Sequence, residues 1–346
     1  MKKRWLVLIM LLAVMLLTAC GSKPKLKIYN AGEYIDQELI KEFKEKYDCK
    51  VVYETFESNE MMYTKISSGE FYDILIPSDY MIERMIKEES LVPIDWSRIE
   101  NKDNLMDIVM DQAYDPGNVY SVPYFWGSVG ILYDTTVVDE EDLEDGWELL
   151  RNEKYAGNIY MYDSERDAFM IALKALGYSM NSTNEAEIQE AYQWLVDQKK
   201  MVNPIYAGDD VIDNMISGNK AIAVVYSGDG AYIMSENEDL SFFEPEQGTN
   251  IWTDAMVISK ECQNYDLAYE FINFILDNEI AYRNSQWVGY SSTVEYAYEQ
   301  MRDDDYEGIN AYVPGVDNPN NEVFGYQDPE IKAIYSDLWT KAKAAE

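Results

Sequence analysis

Ile251-Trp252-Thr253-Asp254-Ala255-Met256-Val257-Ile258 alternates in the manner of a strand whose two faces meet different surroundings. Side chains two apart on a strand share a face, so the indole of Trp252 and the carboxylate of Asp254 stand side by side, with apolar neighbours that exclude water. A flat π-surface beside a fixed negative charge suits an organic cation. The carboxylate offers a charge-assisted hydrogen bond to an ammonium, and the ring adds roughly 0.5–2 kcal/mol of cation–π attraction while covering methylenes. Taken alone, the pair is more simply read as a core Trp next to an Asp that caps a turn.

Outward from this strand the chain alternates short apolar runs with amphipathic segments, the grammar of an α/β fold. On the N-terminal side, Leu26 to Tyr29 predicts a strand, Leu39, Ile40, Phe43 and Tyr47 a helix face behind an Asp36 cap, and Val51 to Tyr53 the next strand. A helix follows Asn59 and ends at Gly69, and Tyr72 to Pro77 predicts a buried strand running into Ser78-Asp79-Tyr80. Ligands of open α/β sheets sit beyond the carboxyl ends of strands, which is where Ser78 and Tyr80 fall. Val122 to Gly127 leads into Val129 to Tyr133, with a crossover between lobes near Gly127. Asn158 to Tyr162 predicts a strand that ends in Asp163-Ser164-Glu165-Arg166-Asp167 and a helix carrying Phe169, Met170, Leu173 and Leu176. Asp163 and Asp167 are then one turn apart at a helix start, where ligand contact competes with capping, since Ser164 and Asp167 have capping-box spacing. Asn184 caps a further helix, and Ala221 to Tyr226 predicts a strand broken by Ser227-Gly228-Asp229-Gly230, leaving Tyr226 as another strand-end aromatic. Beyond the opening strand, Val288-Gly289-Tyr290-Ser291 predicts a loop, Arg302 to Asp305 a solvated loop, and Asp328-Pro329 the start of a final helix.

The N-terminus carries a different message. Lys2, Lys3 and Arg4 precede an apolar run from Trp5 to Leu17, too short to span a bilayer as a helix and typical of a signal peptide. Leu17-Thr18-Ala19-Cys20 resembles a bacterial lipobox, which implies cleavage before Cys20, a lipid on its sulfur and a mature chain of 327 residues. Without the three leader cations, 25 Lys and Arg face 64 Asp and Glu, a formal charge of −39. Nucleic acid is a poor partner for such a chain, whereas cations are drawn towards it. The chain contains no His, which removes His-based acid–base catalysis, Ser-His-Asp triads and His-ligated zinc. Beyond Cys20 only Cys49 and Cys262 remain, too few for a thiolate metal cage, and spacing does not decide whether they are bridged.

The lipobox, the two-lobe α/β pattern and the pairing of Trp252 with Asp254 resemble the extracytoplasmic solute-binding proteins of ABC importers, in particular the spermidine/putrescine (PotD-type) branch. Tyr29-Asn30 to Tyr34, Tyr53 to Glu60, Tyr72 to Ser78, Val122 to Gly127 and Trp252-Thr253-Asp254 match that branch in order. The resemblance implies a periplasmic-binding-protein-like (type II) fold with a cleft between lobes and two or more crossovers. Its segments are 1–19 signal peptide, 20–25 lipidated linker, 26–128 with 253–298 as one lobe, and 129–252 with 299–346 as the other. It implies an aromatic box of Tyr34, Tyr80, Tyr226, Trp252 and Tyr290 with Ser78 beside it, acids at Asp254 and around Asp163 and Asp167, and a C-terminal contact at Gln327. Three positions depart from the pattern: Ala31 and Tyr226 stand where relatives have Trp, and Ser164 where they have Asp.

The function implied is capture of a polyamine and its delivery to a membrane permease by a monomeric, lipid-anchored protein without cofactor or metal. A flexible chain of ammonium groups on methylene spacers needs acids at matching separations and rings along the carbons, because each buried ammonium without a carboxylate costs several kcal/mol. Two other readings remain open: a binder of another solute on the same fold, such as ferric iron held by clustered Tyr phenolates, and an extracellular glycoside hydrolase using Asp163 and Asp167 as a carboxylate pair.

Overall fold

A computed structural model describes residues 23–208 and 210–345. The leader, the lipobox and Cys20 lie outside the described residues. Strands β1 (Lys25–Ala31) and β2 (Lys50–Phe56) run parallel, joined by helix α1 (Gln37–Lys46), whose Leu39, Ile40 and Phe43 recur at helical spacing and close over the sheet. Asp36 caps this helix, accepting the Glu38 N–H at 2.9 Å. Helix α2 (Asn59–Ser67) is capped by Ser58 rather than by Asn59, which frees the Asn59 amide for other use. The expected strand from Tyr72 to Pro77 keeps its ladder only at β3 (Ile74–Leu75), because the chain turns at Ser78 into helix α3 (Asp79–Lys87).

Two strands then carry the chain across. β4 (Ser121–Asp134) merges both runs on either side of Gly127 into one 14-residue strand, buried on both faces for most of its length. Its first half pairs antiparallel with β9 (Ile251–Ile258) and β10 (Ser291–Ser292), and its second half with β7 (Ile222–Tyr226) and β8 (Leu240–Phe243). With β5 (Ile159–Tyr162) and β6 (Ile205–Ala207) added, the strand order is β2-β1-β3-β9-β4-β7-β5-β6. Parallel strands thus form two wings, and the antiparallel β4–β9 pair joins them: the two-lobe α/β architecture with paired crossovers that the sequence predicts.

Helices α4 (Glu165–Ala175), α5 (Glu185–Val202), α6 (Asp210–Ile216) and α7 (Ser227–Glu236) accompany the second wing, while α8 (Tyr265–Ile275), α9 (Asn278–Val288) and α10 (Glu295–Gln300) accompany the first. The last helix, α11 (Pro329–Lys343), buries Tyr335, Leu338 and Trp339 against α4 and α5. Two expectations need correction. Ser227-Gly228-Asp229-Gly230 does not break the chain but forms the first turn of α7, where backbone N–H groups lack intrahelical partners anyway and Gly costs less than in a helix interior. Arg302 to Asp305 is wound into a π-turn continuing α10, with Asp305 accepting from the Tyr282 hydroxyl at 2.8 Å. Cys49 and Cys262 are buried, unbridged thiols.

Candidate functional site

On β9 the alternation read from sequence is present: Trp252 is buried, Thr253 turns to the opposite face, and Asp254 is half-buried. The Tyr34 hydroxyl donates to Asp254 Oδ2 at 2.7 Å. Tyr34 is itself fixed from behind, since its carbonyl accepts the Tyr124 hydroxyl at 2.6 Å. Tyr124 sits where the β4–β9 register shifts between Pro123 and Phe125, a bulge of the kind that re-aims a side chain, and it also accepts the Asn284 amide at 2.9 Å. Ser78 forms a backbone bridge to Asp254 across the start of α3. Asn59 holds Ser78 twice, accepting its N–H at 3.1 Å and donating to its Oγ at 3.0 Å. Burial raises the Asp254 carboxyl above its ordinary range, opposed by the Ser78 and Tyr34 hydroxyls. Burial, then Asp254, pushes the Tyr34 phenol well above 10, so it remains a donor.

Asp79 lies one layer deeper, at 1% exposure. It accepts the Tyr80 N–H at 2.6 Å and the Thr253 N–H at 3.3 Å, tying α3 to the residue next to Asp254. Burial pushes its carboxyl up to about 8; nearby Asp254 adds to the rise, while the two backbone N–H groups and Arg166 oppose it.

An aromatic wall runs from this end. The Trp252 indole N–H donates to the Ser128 carbonyl at 3.3 Å, and its ring lies 5.4 Å from Tyr290 and 6.2 Å from Tyr226, both edge to face. Gly127 allows this approach: a Cβ there would come within 2.6 Å of the indole. Gly228 does the same for Tyr290, whose ring would be 1.4 Å from a Cβ. The Tyr290 ring lies 5.9 Å from Tyr34, and its hydroxyl donates to Asp229 Oδ1 at 2.9 Å. Tyr162 donates to the other oxygen of Asp229 at 2.7 Å and packs 4.8 Å from Tyr226, whose hydroxyl donates to Asp167 at 2.9 Å.

At this far end Ser164 caps α4, its Oγ accepting the Asp167 N–H at 3.4 Å, and the Asp167 carboxylate, buried at 3% exposure, receives the Tyr226 phenol. Capping at this helix start therefore falls to Ser164, which leaves the Asp167 carboxylate to accept the Tyr226 phenol. Burial raises the Asp167 carboxyl, with the Ser164 and Tyr226 hydroxyls opposing. Asp163 does not join it: the residue is exposed and pairs with Lys343 on α11 at 2.5 Å, because the strand end directs the side chain to that helix. Tyr80 and Gln327 line an adjoining cavity of about 320 Å³ together with Glu60, Arg166 and Lys332. The Arg166 guanidinium lies 3.6 Å from the Tyr80 ring centroid, so one face of this aromatic already carries a cation of the chain itself. Glu60 and Lys332 pair across the cavity at 2.8 Å, joining α2 to α11.

Of the residues singled out in the sequence, the fold brings Tyr34, Ser78, Trp252, Asp254, Tyr290, Tyr226 and Asp167 into one continuous array, places Tyr80 and Gln327 beside it, and turns Asp163 away. Sequence reasoning missed Asp79, Tyr124, Tyr162 and Asp229. Asp79 stands between two flagged residues and Asp229 three positions after one, so the strand-end rule that found Ser78 and Tyr226 extends to both. Tyr162 closes a predicted strand and falls under the same rule, whereas Tyr124 lies within a strand and carried no such signal among 29 Tyr.

The arrangement can hold a cation chain: acids at intervals, phenols fixing their orientation, and rings between. Comparison with known proteins agrees with this chemistry. The profile of the bacterial extracellular solute-binding protein family matches residues 38–311. The spermidine/putrescine-binding periplasmic protein of Escherichia coli strain K12 is 29% identical over 323 residues, covering 92% of this chain and 91% of the relative. The crystal structure of the spermidine/putrescine ABC transporter substrate-binding protein PotD from Streptococcus pneumoniae, in complex with calcium and HEPES, superposes with a TM-score of 0.82 at 40% identity, covering 93% of this chain and 99% of that one. The TpPotD lipoprotein of Treponema pallidum superposes with a TM-score of 0.81 at 27% identity, covering 92% and 99% respectively.

Proposed function

Because the chain belongs to the family of bacterial extracellular solute-binding proteins, we propose that its cleft captures polyamines and hands them to the permease of an ABC importer. The observation that carries this reading is the pair of carboxylates, Asp254 and Asp167, each oriented by a tyrosine hydroxyl and separated by the rings of Trp252, Tyr290 and Tyr226. One terminal ammonium sits on Asp254, supported by Tyr34 and Ser78, and the other on Asp167; the rings sheathe the methylenes between them. Tyr80 and Gln327 border the Asp167 end next to Arg166. The names of the Escherichia coli and Streptococcus pneumoniae relatives support the ligand class. Calorimetry on the unlipidated protein is expected to give heat with putrescine, spermidine or spermine; no heat with any of the three refutes the proposal.

The two rival readings fit less well. The Tyr34 and Tyr226 phenols are spent on two different carboxylates, Asp254 and Asp167, rather than converging on one point as ferric phenolate ligands must. Asp163 and Asp167 are engaged on different partners, Lys343 and Tyr226, rather than facing a shared sugar position. For anchoring, Leu17-Thr18-Ala19-Cys20 and the description of the Treponema pallidum relative as a lipoprotein support a lipid on Cys20. Palmitate labelling that is present in the wild type and lost in Cys20→Ser is the expected result; equal labelling of both refutes the anchor.

A further inference from the structure

We propose that Arg166 is a specificity-determining residue: its guanidinium takes the place of a ligand ammonium on Tyr80 and so limits how long and how highly charged an amine the cleft accepts. The proposal rests on the polyamine reading above and adds to it a ceiling set at one end.

Tyr80 borders the cavity that adjoins the array, and one of its faces is already taken. The Arg166 guanidinium lies 3.6 Å from the Tyr80 centroid and 5.5 Å from that of Phe324. Such a group stacks flat on a ring and keeps its charge at any working pH. The rest of the cavity has the same sign. Arg84, Arg166 and Lys332 line it with a single acid, Glu60, in a chain whose 64 acids outnumber its 28 cations.

Two of these cations are accounted for by carboxylates, Arg84 by Glu88 at 3.0 Å and Lys332 by Glu60 at 2.8 Å. Arg166 has the Tyr80 ring instead, and its Nη1 is buried with no hydrogen-bond partner among the described residues. A cation retained for the fold alone ordinarily brings a paired acid with it into the interior. The charge of Arg166 acts on the site itself. Burial raises the Asp79 and Asp167 carboxyls, and Arg166 is among the groups that oppose the rise.

Amines of different length therefore meet different ends. One whose last ammonium stops at Asp167 finds a carboxylate held by Tyr226 and leaves Arg166 where it is. One that carries a further ammonium past Asp167 enters a space of about 320 Å³ where the ring face is occupied and the Glu60 charge is spent on Lys332. There it faces a like charge away from water, a repulsive element of the kind that builds specificity.

Calorimetry with spermidine, and with spermine, which is longer by one aminopropyl group and one ammonium, reads this effect. The wild type is expected to bind spermidine about tenfold tighter or more. In Arg166→Met, which keeps an apolar stem over Tyr80 and removes the charge, the ratio is expected to fall to within about threefold by a gain in spermine affinity. If Arg166 only ties α4 to α3, the variant weakens both amines alike and keeps the ratio, which overturns the proposal. Equal binding of the two amines by the wild type overturns it with no variant needed and leaves the polyamine reading standing. Absence of binding of any amine by the wild type brings down that reading and this proposal with it.

Discussion

The two ends of the cleft hold their acids by different means. Asp254 projects from β9 in the middle of the sheet, bridged to Ser78 through the backbone and bonded to a Tyr34 that Tyr124 and Asn284 secure from behind. Asp167 projects from the first turn of a helix and has the Tyr226 phenol as its main external support, next to an Arg166 that reaches over Tyr80. One acid is fixed by a ladder and a second layer of hydrogen bonds, the other by a helix end that can shift with its wing. Preorganised groups lose less freedom when a ligand binds, so on the proposed reading the Asp254 end is expected to contribute more of the affinity.

This ordering can be broken by experiment. Asp254→Asn is expected to weaken polyamine binding by more than roughly 2 kcal/mol, because a desolvated ammonium loses its fixed counter-charge. An unchanged dissociation constant would remove Asp254 from the site. Asp167→Asn is expected to cost less, about 1–2 kcal/mol. Calorimetry that finds it the costlier of the two reverses the ranking. A smaller and pH-dependent effect sharpens the contrast from beneath the Asp254 end. Asp79 has its carboxyl raised from the ordinary 3.8 to about 8, so the fold binds that proton more tightly than the unfolded chain does. Its contribution to stability is therefore present below pH 3.8 and lost as pH rises towards about 8. Asp79→Asn keeps the shape but not the titration, and forfeits the Thr253 N–H contact equally at every pH. The melting temperature of the variant relative to wild type is expected to improve steadily between these limits, while Asp254 and Asp167 titrate in both proteins alike. Parallel melting profiles would mean that Asp79 does not carry the proton.

The same contrast governs how much was legible in the sequence. A strand repeats every second residue, so Trp252 and Asp254 could be placed on one face from their spacing alone, and the fold keeps them there. A helix start is ambiguous, since Ser164, Asp163 and Asp167 are each reasonable caps or ligand groups. The division seen here depends on α11 offering Lys343 to Asp163 and β7 offering Tyr226 to Asp167, partners far away in sequence. Asp229 was hidden for a different reason. Glycines on both sides suggest a chain break, and only the close packing of Tyr290 on Gly228 shows that they serve ring placement at the opening of a helix. The bulge that aims Tyr124 is likewise a property of the β4–β9 register and left no mark in the alternation.

Along the β4–β9 ladder, residues from Ser121 to Ser128 are matched to residues from Val257 back to Ile251, and both strands pass from one wing to the other. Sliding one wing past the other would shear those rungs together, whereas torsion about the strands leaves each rung intact. The joint therefore resists translation more than twist, so any relative movement of the wings is expected to be a turn about this shared spine.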